Sequence, residues 1–125
     1  MTHGDLVARR VRFTRYLGKL LDFAADEAIC VAVDETRRSR AAAQANAASG
    51  AGIANSLHTL GLAVDLVIFR PRPDGSWQYL DQGTEPEYAT LAVAWKAMDP
   101  ECAWGGDFIH RPDYDHYSLM TDGVR

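Results

Sequence analysis

A single carboxylate inside an apolar strand constrains this chain more than any other feature. Leu62-Ala63-Val64-Asp65-Leu66-Val67-Ile68-Phe69 reads as a strand in which Ala63, Asp65, Val67 and Phe69 share one face. Leu62, Val64, Leu66 and Ile68 share the other. Both faces are mostly apolar, which places the strand in the middle of a sheet. Asp65 then needs a partner, because a buried, unpaired carboxylate is expensive. A metal ion is one such partner.

The segments around this strand predict what surrounds it. Residues 5–25 form an amphipathic helix, with Phe13, Tyr16, Leu17, Leu20, Leu21 and Ala24 recurring at spacings of three and four. Ile29 to Val33 suits a short buried strand. Ser39 is placed to cap a helix over residues 40–48, which the Ser49-Gly50-Ala51-Gly52 turn would end. Pro71 to Ser76 reads as a turn, returning into a strand at Trp77-Gln78-Tyr79-Leu80. Residues 85–98 make a second amphipathic helix, with Pro100 just beyond it. Trp104 to Phe108 and His116 to Met120 are expected as two further strands, joined by a polar connection containing Pro112. Helices mixed with antiparallel strands define an α+β domain, and 125 residues suit a single one spanning 1–125.

Composition excludes several classes of function. The net charge is −4 and the only basic cluster is Arg37-Arg38-Ser39-Arg40, which argues against a nucleic-acid partner. No apolar run approaches the roughly 18 residues of a membrane span. Met1-Thr2-His3-Gly4-Asp5 leads into no charged-then-apolar leader, so the expected location is the cytoplasm of the producing cell, without a signal peptide. Cys30 and Cys102 fit no metal spacing and are expected as free thiols. Nothing in the chain calls for more than a monomer.

The polar residues then suggest a chemistry. His58 precedes the strand carrying Asp65, and His116 lies downstream in Asp113-Tyr114-Asp115-His116-Tyr117. Two imidazoles and one carboxylate make a three-ligand zinc set that leaves the fourth position open for water. Asp113 could serve as the base on that water. Asp115 is its rival, although directly beside His116 on a strand it would point to the opposite face. Taken singly, a hydrogen-bonded structural histidine and a carboxylate held by backbone N–H groups are the commoner situations. Taken together, these residues point to a zinc hydrolase. Arg38 could stabilise an oxyanion, or be a surface arginine at a helix end. Trp104-Gly105-Gly106-Asp107 could line a cleft or make a tight bend. His3 and His110 are expected at the surface, and Trp77 and Trp95 in the core.

Ser-x-His-x-x-Gly-x-Ala-x-Asp, from Ser56 to Asp65, resembles the metal motif of the LAS zinc peptidases. These comprise VanY-type D-Ala-D-Ala carboxypeptidases, D-Ala-D-Ala dipeptidases and phage L-alanoyl-D-glutamate endopeptidases. Asp113 to Tyr117 resembles their second motif, and Trp104 to Phe108 the segment before it in phage endolysins. The resemblance covers about residues 28–120. It implies a small hedgehog/DD-peptidase-like α+β domain, with a helix-flanked antiparallel sheet behind the zinc. It implies Zn2+ on His58, Asp65 and His116, Asp113 as the base, and Arg38 polarising the scissile carbonyl, with Arg37 and Arg40 as alternatives. Many members carry Glu where this chain has Asp113.

The implied function is hydrolysis of peptidoglycan stem peptides at L-Ala-D-Glu or at a D-Ala-containing amide. The implied setting is a phage endolysin or virion-associated lysin that acts on the cell wall after release from the host cytoplasm. The alternative is a non-catalytic, zinc-containing wall-binding or phage tail module of the same fold.

Overall fold

The structure, a computed structural model, describes residues 1–35 and 57–125. The chain opens with helix α1, His3–Asp26. Its N-terminus is closed by a capping box in which the Thr2 hydroxyl accepts from the Asp5 N–H and the Asp5 carboxylate from the Thr2 N–H, both at 3.0 Å. Strand β1 follows at Cys30–Glu35. A 3-10 turn at Leu57–Leu60 leads into β2, Ala63–Pro71, and then β3, Trp77–Tyr79. Helix α2 covers Pro86–Met98, with proline in its first turn where no N–H is needed. Strand β4, Cys102–Trp104, a 3-10 turn at Gly105–Asp107 and strand β5, His116–Leu119, complete the domain.

All strand pairs are antiparallel, in the order β1-β2-β5-β4, with β3 also paired to β2. Strand β2 is therefore central, as its apolar sequence requires. It meets β5 over Ala63–Asp65 and β3 over Phe69–Pro71, so the two lie against different stretches of it. Its Val64, Leu66 and Ile68 are fully buried with Tyr117 and Leu119 of β5, Phe13 and Leu20 of α1, and Tyr88, Leu91 and Trp95 of α2. Trp95 is the centre of this packing. Its ring stands edge-on to Phe13 at 5.8 Å and to Tyr117 at 6.1 Å. Its indole N–H lies 3.0 Å from Ala103 O and 3.2 Å from Ser118 O, so the buried donor is satisfied.

Charged groups fasten the rim. Arg9 and Arg12 of α1 pair with Glu101 and Asp99 at 2.7 Å each, tying the helix to the turn before β4. Arg70 at the far end of β2 bonds Glu87 in the first turn of α2 through two nitrogens, at 2.5 and 2.7 Å.

Three sequence expectations need comment. The strand expected at Trp104–Phe108 is instead Cys102–Trp104, and the following glycines form the 3-10 turn. Trp77, expected in the core, is 56% exposed, because as the partner of Pro71 it lies on the face of the sheet opposite the helices. The helix expected over 40–48, with its Ser39 cap, lies outside the described residues. Cys30 and Cys102 are free thiols. Among the described residues, no helix is long and apolar enough to cross a membrane.

Candidate metal centre

Asp65 and His116 are direct cross-strand partners in the β2–β5 register, so their side chains rise from the same face of the sheet. That face is opposite the helices. His58 arrives from the 3-10 turn just before β2, and local backbone chemistry fixes its place. The turn closes with Leu62 N–H donating to Leu57 O at 3.0 Å and Gly61 N–H to His58 O at 3.2 Å. This closure requires a left-handed residue, and Gly61 supplies it at φ +73°. The glycine of the sequence motif is thus what reverses the chain and aims His58 back over β2.

The three side chains converge. His58 Nε2 lies 3.3 Å from Asp65 Oδ1, His116 Nδ1 lies 3.7 Å from the same oxygen, and the two imidazole rings are 5.3 Å apart. One potential ligand atom from each falls within 4.8 Å of the others. Bonds from zinc to nitrogen or oxygen of about 2.0–2.2 Å place the corners of a tetrahedron about 3.3–3.6 Å apart. The 3.3 Å edge falls within that range and the 3.7 Å edge lies just beyond it. Asp65 Oδ1 is also fully enclosed with no hydrogen-bond partner among the described residues, an arrangement that is costly unless a cation takes the oxygen. Burial opposes ionisation of Asp65, but the imidazoles of His116 and His58 outweigh it and hold the carboxyl at about 2. The oxygen is therefore charged and poised as a ligand. These residues fit a divalent zinc site.

Asp113 belongs to the same electrostatic neighbourhood. Asp113 is exposed as a residue, yet the protein packed around its carboxyl disfavours the charge and raises its pKa above the usual range. The negative charge of Asp65 raises it further, and His116 and His58 pull the other way. A carboxyl that holds its proton more tightly is suited to accepting one. Asp115, in the turn just before β5 rather than on a strand as expected, is engaged elsewhere. Its Oδ1 lies 3.2 Å from the Tyr88 hydroxyl and its Oδ2 3.5 Å from that of Tyr79. Burial and then the charge of Asp113 push it up to about 6. Arg38, Arg37 and Arg40 lie outside the described residues.

The segment Trp104–Phe108 does work that sequence reading left open. Gly105 O accepts from Asp113 N–H at 2.9 Å, and the Trp104 indole N–H donates to Tyr114 O at 2.8 Å. A Cβ on Gly105 would stand 2.1 Å from Asp113 O and 2.7 Å from His116 Cβ, so only glycine lets the turn pack under the Asp113–His116 loop. Phe108 then lays its ring 5.5 Å from the ring of His116. The paired glycines after a tryptophan were the available signal. What they do is fasten the loop beneath the site.

A helix-backed antiparallel sheet here presents two histidines and an aspartate, a candidate metal site, beside a raised carboxyl, an arrangement compatible with the class of metal-site hydrolase domains. Within that class, the family model described as D-alanyl-D-alanine carboxypeptidase matches residues 49–119. The chain belongs to this M15 peptidase family. It is also similar to the crystal structure of the Serratia marcescens L-Ala D-Glu endopeptidase ChiX. The two are 27% identical, with a TM-score of 0.59 over 95% of this chain and 80% of that one. Comparison with curated proteins gives no match.

Proposed function

We propose that the chain is a zinc-dependent hydrolase of peptidoglycan stem peptides, cutting the L-Ala-D-Glu amide. The observation that carries this reading is the convergence of His58, Asp65 and His116 on one sheet face with Asp113 in their electrostatic neighbourhood. His58, Asp65 and His116 would hold the zinc. When bound, zinc lowers the pKa of a water ligand toward neutrality and polarises a carbonyl oxygen. Asp113 takes the proton of the attacking water and returns it to the departing amine, so one carboxyl serves as base and then acid. The Trp104–Gly105 turn holds Asp113 in position, and Arg38 is assigned to the carbonyl oxygen, as in the resembled family. The choice of bond follows the name of the structural relative. A phage lysin that reaches the wall after release from the host cytoplasm is the setting suggested by the endolysin-like Trp104–Phe108 segment.

Asp113→Ala tests the reading. The variant should keep its fold and one zinc per chain while releasing peptide fragments from purified sacculi at least about 100-fold more slowly. Undiminished release would remove Asp113 from the mechanism. A folded, zinc-loaded parent that releases nothing from intact or muramidase-digested wall would leave the non-catalytic binding module as the function.

A further inference from the structure

The sheet face that carries Asp65 and His116 does not end at the metal centre. Alternation along β2 puts Val67 and Phe69 on it, and their register partners Ala32, Cys30 and Tyr79 share it. The Phe69 ring lies 5.6 Å from Tyr79 and 6.5 Å from Trp77. None of these side chains belongs to the helix-side core, and Trp77 and Tyr79 are 56% and 44% exposed. A shallow groove of about 330 Å³ runs among Cys30, Ala32, Phe69 and Trp77. Three clustered aromatics, two of them largely open to solvent, gain the fold little and mark a surface meant to be covered. The Tyr79 hydroxyl, 3.5 Å from Asp115, joins this surface to the loop carrying Asp113 and His116.

We propose that Phe69, Trp77 and Tyr79 form a subsite for the amino-sugar disaccharide to which the stem peptide is attached. This deepens the peptidoglycan reading above and rests on it. Flat aromatic faces suit the C–H faces of pyranose rings, and the Tyr79 hydroxyl offers a hydrogen bond at the edge. Distance supports the assignment. Phe69 is four residues along β2 from Asp65, about 13 Å at 3.3 Å per residue. The L-Ala of a stem peptide is joined to muramic acid through one lactyl unit. With its carbonyl at the metal, two extended units of about 3.5 Å span about 7 Å, which centres the first sugar ring about 9 Å away and the next about 14 Å away. A D-Ala-D-Ala amide at the metal would move the sugars beyond about 20 Å, past the aromatic cluster.

The test compares a disaccharide-linked tetrapeptide with the same free tetrapeptide, and separately titrates the peptide-free disaccharide by tryptophan fluorescence. Wild type should prefer the glycan-linked substrate, chiefly through KM, and show a saturable fluorescence change with disaccharide alone. Trp77→Ala should abolish that change and cut the preference about tenfold, while Trp77→Phe, which keeps an aromatic face, should restore most of it. Equal losses on both substrates would overturn the proposal in favour of a peptide subsite. An unchanged preference, or no response to disaccharide, would also overturn it. Disaccharide binding by a zinc-loaded chain that cleaves neither substrate would keep the subsite and sink the peptidase reading.

Discussion

The two faces of β2 are built from alternate residues of one strand and differ in every physical respect. On one, Val64, Leu66 and Ile68 are sealed against two helices, and the indole N–H of Trp95 in that layer has its acceptors. On the other, Asp65 Oδ1 is enclosed without a hydrogen-bond partner among the described residues, the Asp113 carboxyl is raised by desolvation and the charge of Asp65, and aromatics stand open to solvent. The first face is consistent at every level and supplies stability. The second concentrates the groups that cost stability, which is where function is expected. The period of two lets neighbouring residues serve opposite ends.

Substitutions should separate the faces, the largest effect on the helix side. Trp95→Ala should lose about 3–5 kcal/mol in denaturant unfolding, from the cavity left behind and two carbonyls stripped of their donor. A loss below 1 kcal/mol would show the core is not centred there. Gly105→Ala should cost about 2 kcal/mol, since the new methyl must displace Asp113 O and His116. It should also weaken zinc retention during dialysis; full retention would mean the turn does not position the loop.

Asp115 offers a pH-dependent contrast. Its folded value of about 6 lies above the ordinary 3.8, so the fold favours the protonated acid. Its contribution to stability is full below about pH 4 and lost as pH rises through about 6. Asp115→Asn should therefore gain on the parent at pH 7, by about 1 kcal/mol given solvent screening of a half-open group, and gain nothing at pH 4. The same melting-temperature difference at both pH values would refute this. Asp65→Ala should destabilise the metal-free chain without unfolding it, because it removes a carboxylate whose charge the two imidazoles favour. Zinc should nonetheless fall from one per chain to none, and stoichiometric zinc would strike Asp65 from the ligand set.

Much of this was legible in the order of the residues. The apolar octet around Asp65 announced a central strand, the spacing of Phe13, Leu20 and Ala24 announced α1, and His58, Asp65 and His116, read as a candidate ligand set, do converge in space. These are local facts: periodicity and side-chain chemistry act within a few residues or between recognisable motifs. Tertiary structure alone decided the rest. Trp77 reads like Trp95 in sequence, yet one is open and the other sealed, because burial depends on which face of the sheet the helices cover. Gly105 reads as a bend, and only the approach of Asp113 and His116, eight and eleven residues further on, shows why nothing larger fits. The sequence determined which groups the chain has available for chemistry. Packing between distant segments decided which of them meet, because contact is a property of three-dimensional register that no local pattern encodes.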